Sequence, residues 1–220
     1  MKFKQWLLFE ENLEKKSIFV LVGPPAVGKS TWIKNTFTDK NPYIISRDEI
    51  VNRIAKSLGL SYDEMFVRPS EPLGFEHEKY GTVVKSPAFM TWQPLSYSKI
   101  LEANTTINNL LKERVSNAVK SGQDIIVDMT NMTANARKQA LKAIEGKEDM
   151  YNKIAVVFGF KGAEDIIKKV SKIRSEKESK TIPEDVLDKM MSSFQEVSPI
   201  ENFDKVINVD NTEVLKRLVQ

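Results

Sequence analysis

The chain has 220 residues, of which 41% are hydrophobic and 29% are charged, with a formal net charge of +3. Its apolar content suffices to bury a core, so we expect one domain over residues 1–220 that carries an insertion. The absence of cysteine excludes disulfide bonds and thiolate metal ligands. No apolar run approaches the length of a membrane span, so we expect a cytoplasmic protein without membrane contacts. The small net charge permits a nucleic acid partner without predicting one.

The first predicted element is a buried strand that leads into a phosphate-binding loop. Residues 18–22 form an unbroken apolar run, and residues 23–30, GPPAVGKS, match every fixed position of the P-loop motif GxxxxGK[ST]. The two glycines let backbone N–H groups converge on phosphate oxygens, and the following helix directs its positive end at them. The alternative is a chance glycine-rich turn. We expect ATP to bind here. The residues predicted to contact it are Gly23, Pro24, Ala26, Val27, Gly28, Lys29, Ser30 and Thr31.

The second strand candidate, residues 43–46, ends close to a carboxylate that would lie across the cleft from the P-loop. Transfer of a γ-phosphoryl group to a hydroxyl requires a base that orients the hydroxyl and accepts its proton, worth roughly 10²–10⁴ in rate. Asp48 is our candidate for this base. The alternative is that Asp48 caps the helix predicted over residues 48–58.

Residues 60–97 interrupt the alternation of strands and helices. They contain four prolines and several aromatic side chains, among them Trp92, so they cannot form one continuous helix. Irregular insertions at the ligand edge of such sheets commonly shape substrate pockets. Either this aromatic insertion selects the acceptor, with Trp92 as one contact, or it is a small hydrophobic cluster over the sheet edge.

A long helix predicted over residues 98–121 leads to the third strand candidate, residues 125–128. This strand ends in Asp128 and resembles a Walker B strand. We predict that Asp128 and the hydroxyl of Ser30 hold Mg²⁺, and that Lys29 contacts the β- and γ-phosphates. Thr130 and Asn131 either hydrogen-bond the acceptor or cap the next helix, predicted over residues 133–144.

Two further strand candidates, residues 154–158 and 206–209, alternate with helical patterns over residues 163–174, 183–195 and 212–219. The alternation predicts an α/β fold with a parallel sheet flanked by helices.

The segment from residue 165 to residue 180 is rich in basic side chains, which indicates either a solvated helix face or a lid over ATP. An arginine that stabilises the transferring phosphoryl group contributes roughly 10³–10⁵ to turnover. Arg174 is the first candidate for that role, and Lys177 is the second.

Together these motifs resemble the kinase domain of phage polynucleotide 5′-hydroxyl kinases and their P-loop kinase relatives. The resemblance covers most of the chain and rests on GPPAVGKSTW, NPYIISRDE, DMTN followed by Asn135-Ala-Arg137, and TIPEDVLDKM. It implies a P-loop kinase fold with a five-stranded parallel sheet, Asp48 as general base, Arg47 near the acceptor phosphate and a basic lid over ATP. The candidate acceptor contacts are Arg47, Arg53, Thr130, Asn131, Arg137 and Trp92.

The chain departs from the family pattern at two places. The family commonly has an arginine three residues after the aspartate, where this chain has Val51, with Arg53 two positions further on. Counting back from Pro183 places Lys177, rather than Arg174, at the lid position.

The sequence therefore predicts an ATP- and Mg²⁺-dependent kinase whose acceptor is a nucleic acid 5′-hydroxyl. One alternative is a kinase for another hydroxyl, such as that of a hydroxymethylated DNA base, a nucleoside or a nucleotide sugar. The other is a nucleotide-binding ATPase or regulator without a phosphorylated acceptor. The oligomeric state is not predicted.

Overall fold

A computed structural model describes residues 15–59, 62, 76–77, 81–82, 97–178 and 180–218. Its strands are β1 (Lys16–Val22), β2 (Tyr43–Ser46), β3 (Glu76–His77), β4 (Gly81–Thr82), β5 (Ile125–Asp128), β6 (Tyr151–Phe158) and β7 (Lys205–Val209). Five of them form one all-parallel sheet in the order β2-β5-β1-β6-β7. A separate antiparallel pair is formed by β3 and β4. The predicted five-stranded parallel sheet is confirmed.

Helices connect the strands of the large sheet, as the sequence predicts, but several bounds differ. They are α1 (Lys29–Thr36), α2 (Arg47–Ser57), α3 (Tyr97–Ala118), α4 (Ala134–Leu141), α5 (Glu164–Glu178), α6 (Glu184–Ser192) and α7 (Thr212–Leu218). The helix predicted over residues 163–174 is longer in the structure, so both Arg174 and Lys177 are helical residues. In the described ranges, no helix combines the length and the apolar content needed to cross a membrane.

Both faces of the sheet are covered, which explains why β1 is almost entirely buried. Phe19 and Leu21 of β1 face a cluster that includes apolar residues of α1, α5, α6 and α7. Ile18 and Val20 face the opposite cluster, which includes apolar residues of α3 and α4. Because both of its faces are packed, β1 is exposed only at its first residue, Lys16.

The register of the sheet brings the three predicted site segments to one edge. β1 lies between β5 and β6, and β2 pairs with β5 so that Ser46 is directly opposite Asp128. The carboxyl ends of β1, β2 and β5 are therefore adjacent. Ligands of open parallel sheets bind at this edge, where strand order reverses.

The aromatic insertion, residues 60–97, falls almost entirely outside the described residues. Trp92, the predicted acceptor contact, lies outside them. Tyr62 of this segment is described and contacts the candidate site.

Candidate active site

The P-loop connects β1 to α1 and is held from both sides. The Gly23 N–H donates to the carbonyl oxygen of Thr130 at 2.9 Å, and the side-chain amide of Asn211 donates to the carbonyl oxygen of Val27 at 3.0 Å. Gly28 has φ +98°, and a Cβ atom added there would lie 2.6 Å from Nδ2 of Asn211. The second glycine of the motif is thus required both by its left-handed conformation and by the close approach of Asn211.

Lys29 directs its ammonium group into the P-loop. Its Nζ donates to the carbonyl oxygens of Gly23 at 2.9 Å and Pro24 at 2.7 Å. Desolvation lowers the pKa of Lys29 to about 8, although the charges of Asp128 and Asp48 act in the opposite direction. A cationic group inside a loop whose residues 23–30 match the motif fits the phosphates of a nucleotide.

The lowered pKa of Lys29 predicts that ATP binding takes up protons in mildly alkaline solution. Free protein loses this proton as the pH rises through about 8, whereas phosphate oxygens favour the charged ammonium and raise the pKa in the complex. At about pH 9, calorimetric titration in buffers of different ionisation enthalpy should therefore give buffer-dependent binding enthalpies. Lys29→Arg should abolish the dependence because arginine stays protonated. An equal buffer dependence in that variant would assign the proton to another group.

Asp48 lies in the cleft and does not cap its helix. The N-cap of α2 is Ser46, whose Oγ accepts from the N–H of Glu49 at 3.4 Å, so the alternative interpretation of Asp48 as the cap is wrong. The side chain of Asp48 is exposed, and its Oδ1 accepts a hydrogen bond from the Tyr62 hydroxyl at 2.8 Å. Its charge raises the pKa values of both Lys29 and Asp128. Asp48 therefore faces the P-loop lysine across the sheet edge.

Asp128 and Ser30 provide oxygen atoms suited to Mg²⁺. Burial raises the pKa of Asp128, whereas the nearby charge of Lys29 lowers it. Ser30 is exposed in the first turn of α1, one residue after Lys29. Within the described ranges, no three His, Cys, Asp or Glu residues form a metal-binding group. One carboxylate and one hydroxyl still fit Mg²⁺, which takes few protein ligands and completes its shell with phosphates and water.

Arg174 is the lid candidate whose charge reaches the cleft. Arg174 is half-buried on α5 and is among the charges that lower the pKa values of Lys29 and Asp128. Lys177 is exposed one turn further along the helix, and its charge is not one of those that shift the pKa of Lys29 or Asp128. The placement favours Arg174 over the position obtained by counting back from Pro183.

The two arginines on α2 are placed differently relative to Asp48. Arg47 precedes Asp48 at the start of the helix and is half-buried. Arg53 is exposed and lies five residues beyond Asp48, which rotates it by about 140° around the helix. Arg47 is therefore the better placed of the two for an acceptor that reaches Asp48.

Neither Asn131 nor Thr130 caps the helix that follows them, and the two residues differ in what they can contact. The side chain of Asn131 is buried, and its Nδ2 donates to the carbonyl oxygen of Leu21 at 2.8 Å. The cap of α4 is Thr133, which accepts from the N–H of Ala136 at 3.2 Å. Capping is therefore wrong for both residues, and acceptor binding by Asn131 is wrong because its buried amide joins the loop to β1. Thr130 is half-buried, and its acceptor contact stays a prediction.

The predicted acceptor contact of Arg137 is also wrong. Arg137 is 0% exposed, and its guanidinium donates to both carboxylate oxygens of Glu201, at 2.6 and 2.7 Å. Further bonds reach the carbonyl oxygens of Asn131 at 3.2 Å and Gln195 at 3.0 Å. Because its side chain is fully buried, Arg137 cannot contact an acceptor in the cleft. It instead connects the loop after β5 to the segment that follows α6 through these hydrogen bonds.

Replacing Arg137 with methionine is expected to lower the free energy of unfolding by about 3 kcal/mol, because it leaves the mostly buried Glu201 carboxylate without its charged partner. Urea denaturation measures the loss. The double variant Arg137→Met/Glu201→Met should recover part of it, since the lone buried charge is then also removed. Equal stabilities of the single and double variants would show that the ion pair does not act as a unit.

Three residues of the site are not found by sequence reasoning. Tyr62 contacts Asp48, Asn211 contacts the P-loop, and the charge of Lys180 lowers the pKa of Asp128. Two of them carried a signal: Tyr62 as a member of the aromatic insertion, and Lys180 as a member of the basic run after residue 165.

Comparisons with known proteins identify the family and the fold. Residues 18–197 match the model of a family described as AAA domain (AAA_33). A search of curated proteins found no match. A solved structure of a putative kinase from Chloroflexus aurantiacus J-10-fl is similar at 13% identity and a TM-score of 0.53, covering 95% of this chain and 94% of that chain. A structure of the PezAT toxin–antitoxin system of Streptococcus pneumoniae is similar at 13% identity and a TM-score of 0.54, and the match covers 98% of this chain and 86% of that chain.

At these identities the solved structures bear on the fold alone, and they have the same P-loop kinase architecture. The family match extends from β1 to the segment after α6 and so includes the P-loop, Asp48, Asp128 and Arg174. The chain belongs to the AAA domain family and has a P-loop kinase-like fold.

Proposed function

We propose that this chain is a kinase that transfers the γ-phosphoryl group of ATP to a hydroxyl, with a nucleic acid 5′-hydroxyl as the acceptor. One observation carries the proposal: Lys29 in the P-loop, Asp48 just after β2 and Asp128 at the end of β5 lie at one edge of the sheet, where the charge of Asp48 raises the pKa values of Lys29 and Asp128. A P-loop alone would serve an ATPase equally well. An exposed carboxylate opposite the P-loop lysine adds the base that a hydroxyl acceptor requires.

On the donor side, the P-loop backbone and Lys29 would hold the β- and γ-phosphates. Ser30 and Asp128 would hold Mg²⁺, which neutralises phosphate charge when bound. Among the described residues these two would be the protein ligands, and phosphates and water would supply the others.

On the acceptor side, Asp48 would orient the hydroxyl and accept its proton as the oxygen–phosphorus bond forms. The bond between the γ-phosphorus and the bridging oxygen then breaks, and ADP leaves with that oxygen. Arg174 would offset the negative charge that spreads over the equatorial oxygens of the transferring group.

Two observations support a polymer end as the acceptor. Asp48 is exposed at the rim of the cleft, where the terminal hydroxyl of a long substrate can reach it. Arg47 is adjacent to Asp48 at the N-terminus of α2, and both the guanidinium and the helix end attract phosphate. The resemblance around residues 46–49, SRDE, points the same way.

An acceptor panel tests this proposal. Wild-type protein with γ-labelled ATP and Mg²⁺ is given 5′-hydroxyl oligonucleotides of DNA and RNA, hydroxymethylated duplex DNA, nucleosides and nucleotide sugars. We expect the highest kcat/KM for an oligonucleotide, with the label on its 5′ oxygen and no transfer by Lys29→Met. A higher value for a small acceptor would reject the nucleic acid. Release of labelled phosphate without any labelled acceptor would reject the kinase.

A further inference from the structure

Tyr62 contacts two charged groups of the cleft at once. Its hydroxyl donates to Oδ1 of Asp48 at 2.8 Å, and Nζ of Lys180 lies 5.0 Å from the centroid of its ring. These three residues come from three separate parts of the chain: α2, the aromatic insertion and the segment after α5. Tyr62 is therefore the physical link between the candidate base and the segment that follows the helix of Arg174.

Asp48 needs such a partner because of its position. It is exposed near the start of α2, and the capping bond that often fixes an aspartate there is made by Ser46. An exposed side chain populates several rotamers, and a base displaced by about 1 Å can lose 10²-fold in rate. The Tyr62 hydrogen bond restricts the carboxylate. Since a carboxylate has about four acceptor positions, it can still accept the proton of a substrate hydroxyl.

Lys180 gains a defined position from the same tyrosine. Its ammonium lies over the ring at a distance typical of a cation–π contact. Because the hydroxyl of the same ring is bonded to Asp48, this contact places Lys180 at the cleft. The charge of Lys180 also lowers the pKa of Asp128. The ring thus keeps a positive charge at the cleft.

We propose that Tyr62 is a positioning residue for phosphoryl transfer: its hydroxyl holds Asp48 in the orientation that receives the acceptor proton, and its ring holds the positive charge of Lys180 at the same cleft. This proposal rests on the proposed kinase function. The hydroxyl is expected to affect kcat only when Asp48 is present, and the ring is expected to affect kcat only when Lys180 is present.

The first test removes only the hydroxyl. Tyr62→Phe is expected to lower kcat about tenfold, the loss that corresponds to one hydrogen bond to a charged group, with ATP affinity unchanged. In the Asp48→Asn background, the same change should have no further effect on the residual rate. Tyr43→Phe, which removes a phenol hydroxyl at the opposite end of β2, should leave kcat within about twofold of wild type.

The second test removes the ring. Tyr62→Leu is expected to have a kcat about threefold lower than that of Tyr62→Phe, a factor that corresponds to the energy of a partly exposed cation–π contact. That additional loss should vanish in a Lys180→Met background. Thermal unfolding of every variant separates these effects from a loss of folded protein.

The outcomes distinguish this proposal from the proposed function. Suppose that the wild-type protein labels an acceptor. An unchanged kcat in Tyr62→Phe would then overturn the role of Tyr62 and leave the kinase function in place. The same conclusion would follow if Tyr62→Phe lowered kcat by the same factor in the Asp48→Asn background as in the wild type. Phosphotyrosine at position 62, sought by mass spectrometry, would make Tyr62 an acceptor and would also overturn the positioning role. If the wild-type protein labels no acceptor, both proposals fail.

Discussion

Replacing Arg174 with methionine is expected to lower the rate of phosphoryl transfer by about 10³, the lower end of the range for arginines that stabilise a transferring phosphoryl group. The charge of Arg174 reaches both Lys29 and Asp128, so it is near the place where the equatorial oxygens of that group would lie. Its contribution should be largest in the transition state, and so the loss should appear in kcat more than in ATP affinity. Single-turnover transfer from γ-labelled ATP measures it.

Lys177→Met is the matched control, because Lys177 is a cation on the same helix one turn further on and is exposed. It should change the rate by less than about threefold, as expected of a solvated surface charge. Arg174→Lys should recover little activity, because an ammonium cannot reproduce a bidentate guanidinium contact. A larger loss in Lys177→Met than in Arg174→Met would transfer the lid role to Lys177.

Asp48→Asn is expected to lower the transfer rate by about 10²–10⁴, the usual contribution of a positioned general base. Asparagine has a similar shape but cannot accept the acceptor proton. Because the side chain of Asp48 is exposed and does not cap α2, the substitution should leave the fold unchanged. ATP affinity, measured separately by titration, should change little.

Glu49→Gln is the control for Asp48. Glu49 is the next residue on α2, and its carboxylate pairs with Arg114, with 3.0 Å between Oε2 and Nη1. Its charge is therefore directed at α3, and we expect the rate to stay within about threefold of wild type. A wild-type rate in Asp48→Asn, together with a large loss in Glu49→Gln, would move the base to position 49.

The fold could be predicted from the sequence because its signals are local. The apolar runs that became β1, β2 and β5 are bounded by polar residues, glycine or proline, and the P-loop motif fixes the backbone by its own glycines. The placement of Asp48 followed from the same logic, since residues just after adjacent parallel strands meet at one edge. Helix ends were less certain, as the extension of α5 to Glu178 illustrates.

The wrong predictions share a physical cause. Arg137 and Asn131 are polar residues close to the site in the sequence, and a pattern does not reveal whether such a side chain turns to the cleft or the core. The partner that allows Arg137 to be buried, Glu201, is 64 residues away. The contacts of Tyr62 with Asp48 and of Asn211 with Val27 also join distant parts of the chain, by 14 and 184 residues.

The central claim is that ATP and a hydroxyl acceptor meet between Lys29 and Asp48. A single-turnover experiment with excess protein, γ-labelled ATP, Mg²⁺ and a 5′-hydroxyl oligonucleotide tests it most directly. We expect the label to appear on the oligonucleotide at the rate at which ATP disappears, and both rates to fall together in Asp48→Asn. If ATP instead disappears at the same rate without any acceptor, with all the label in inorganic phosphate, the cleft is an ATPase site and the claim is contradicted.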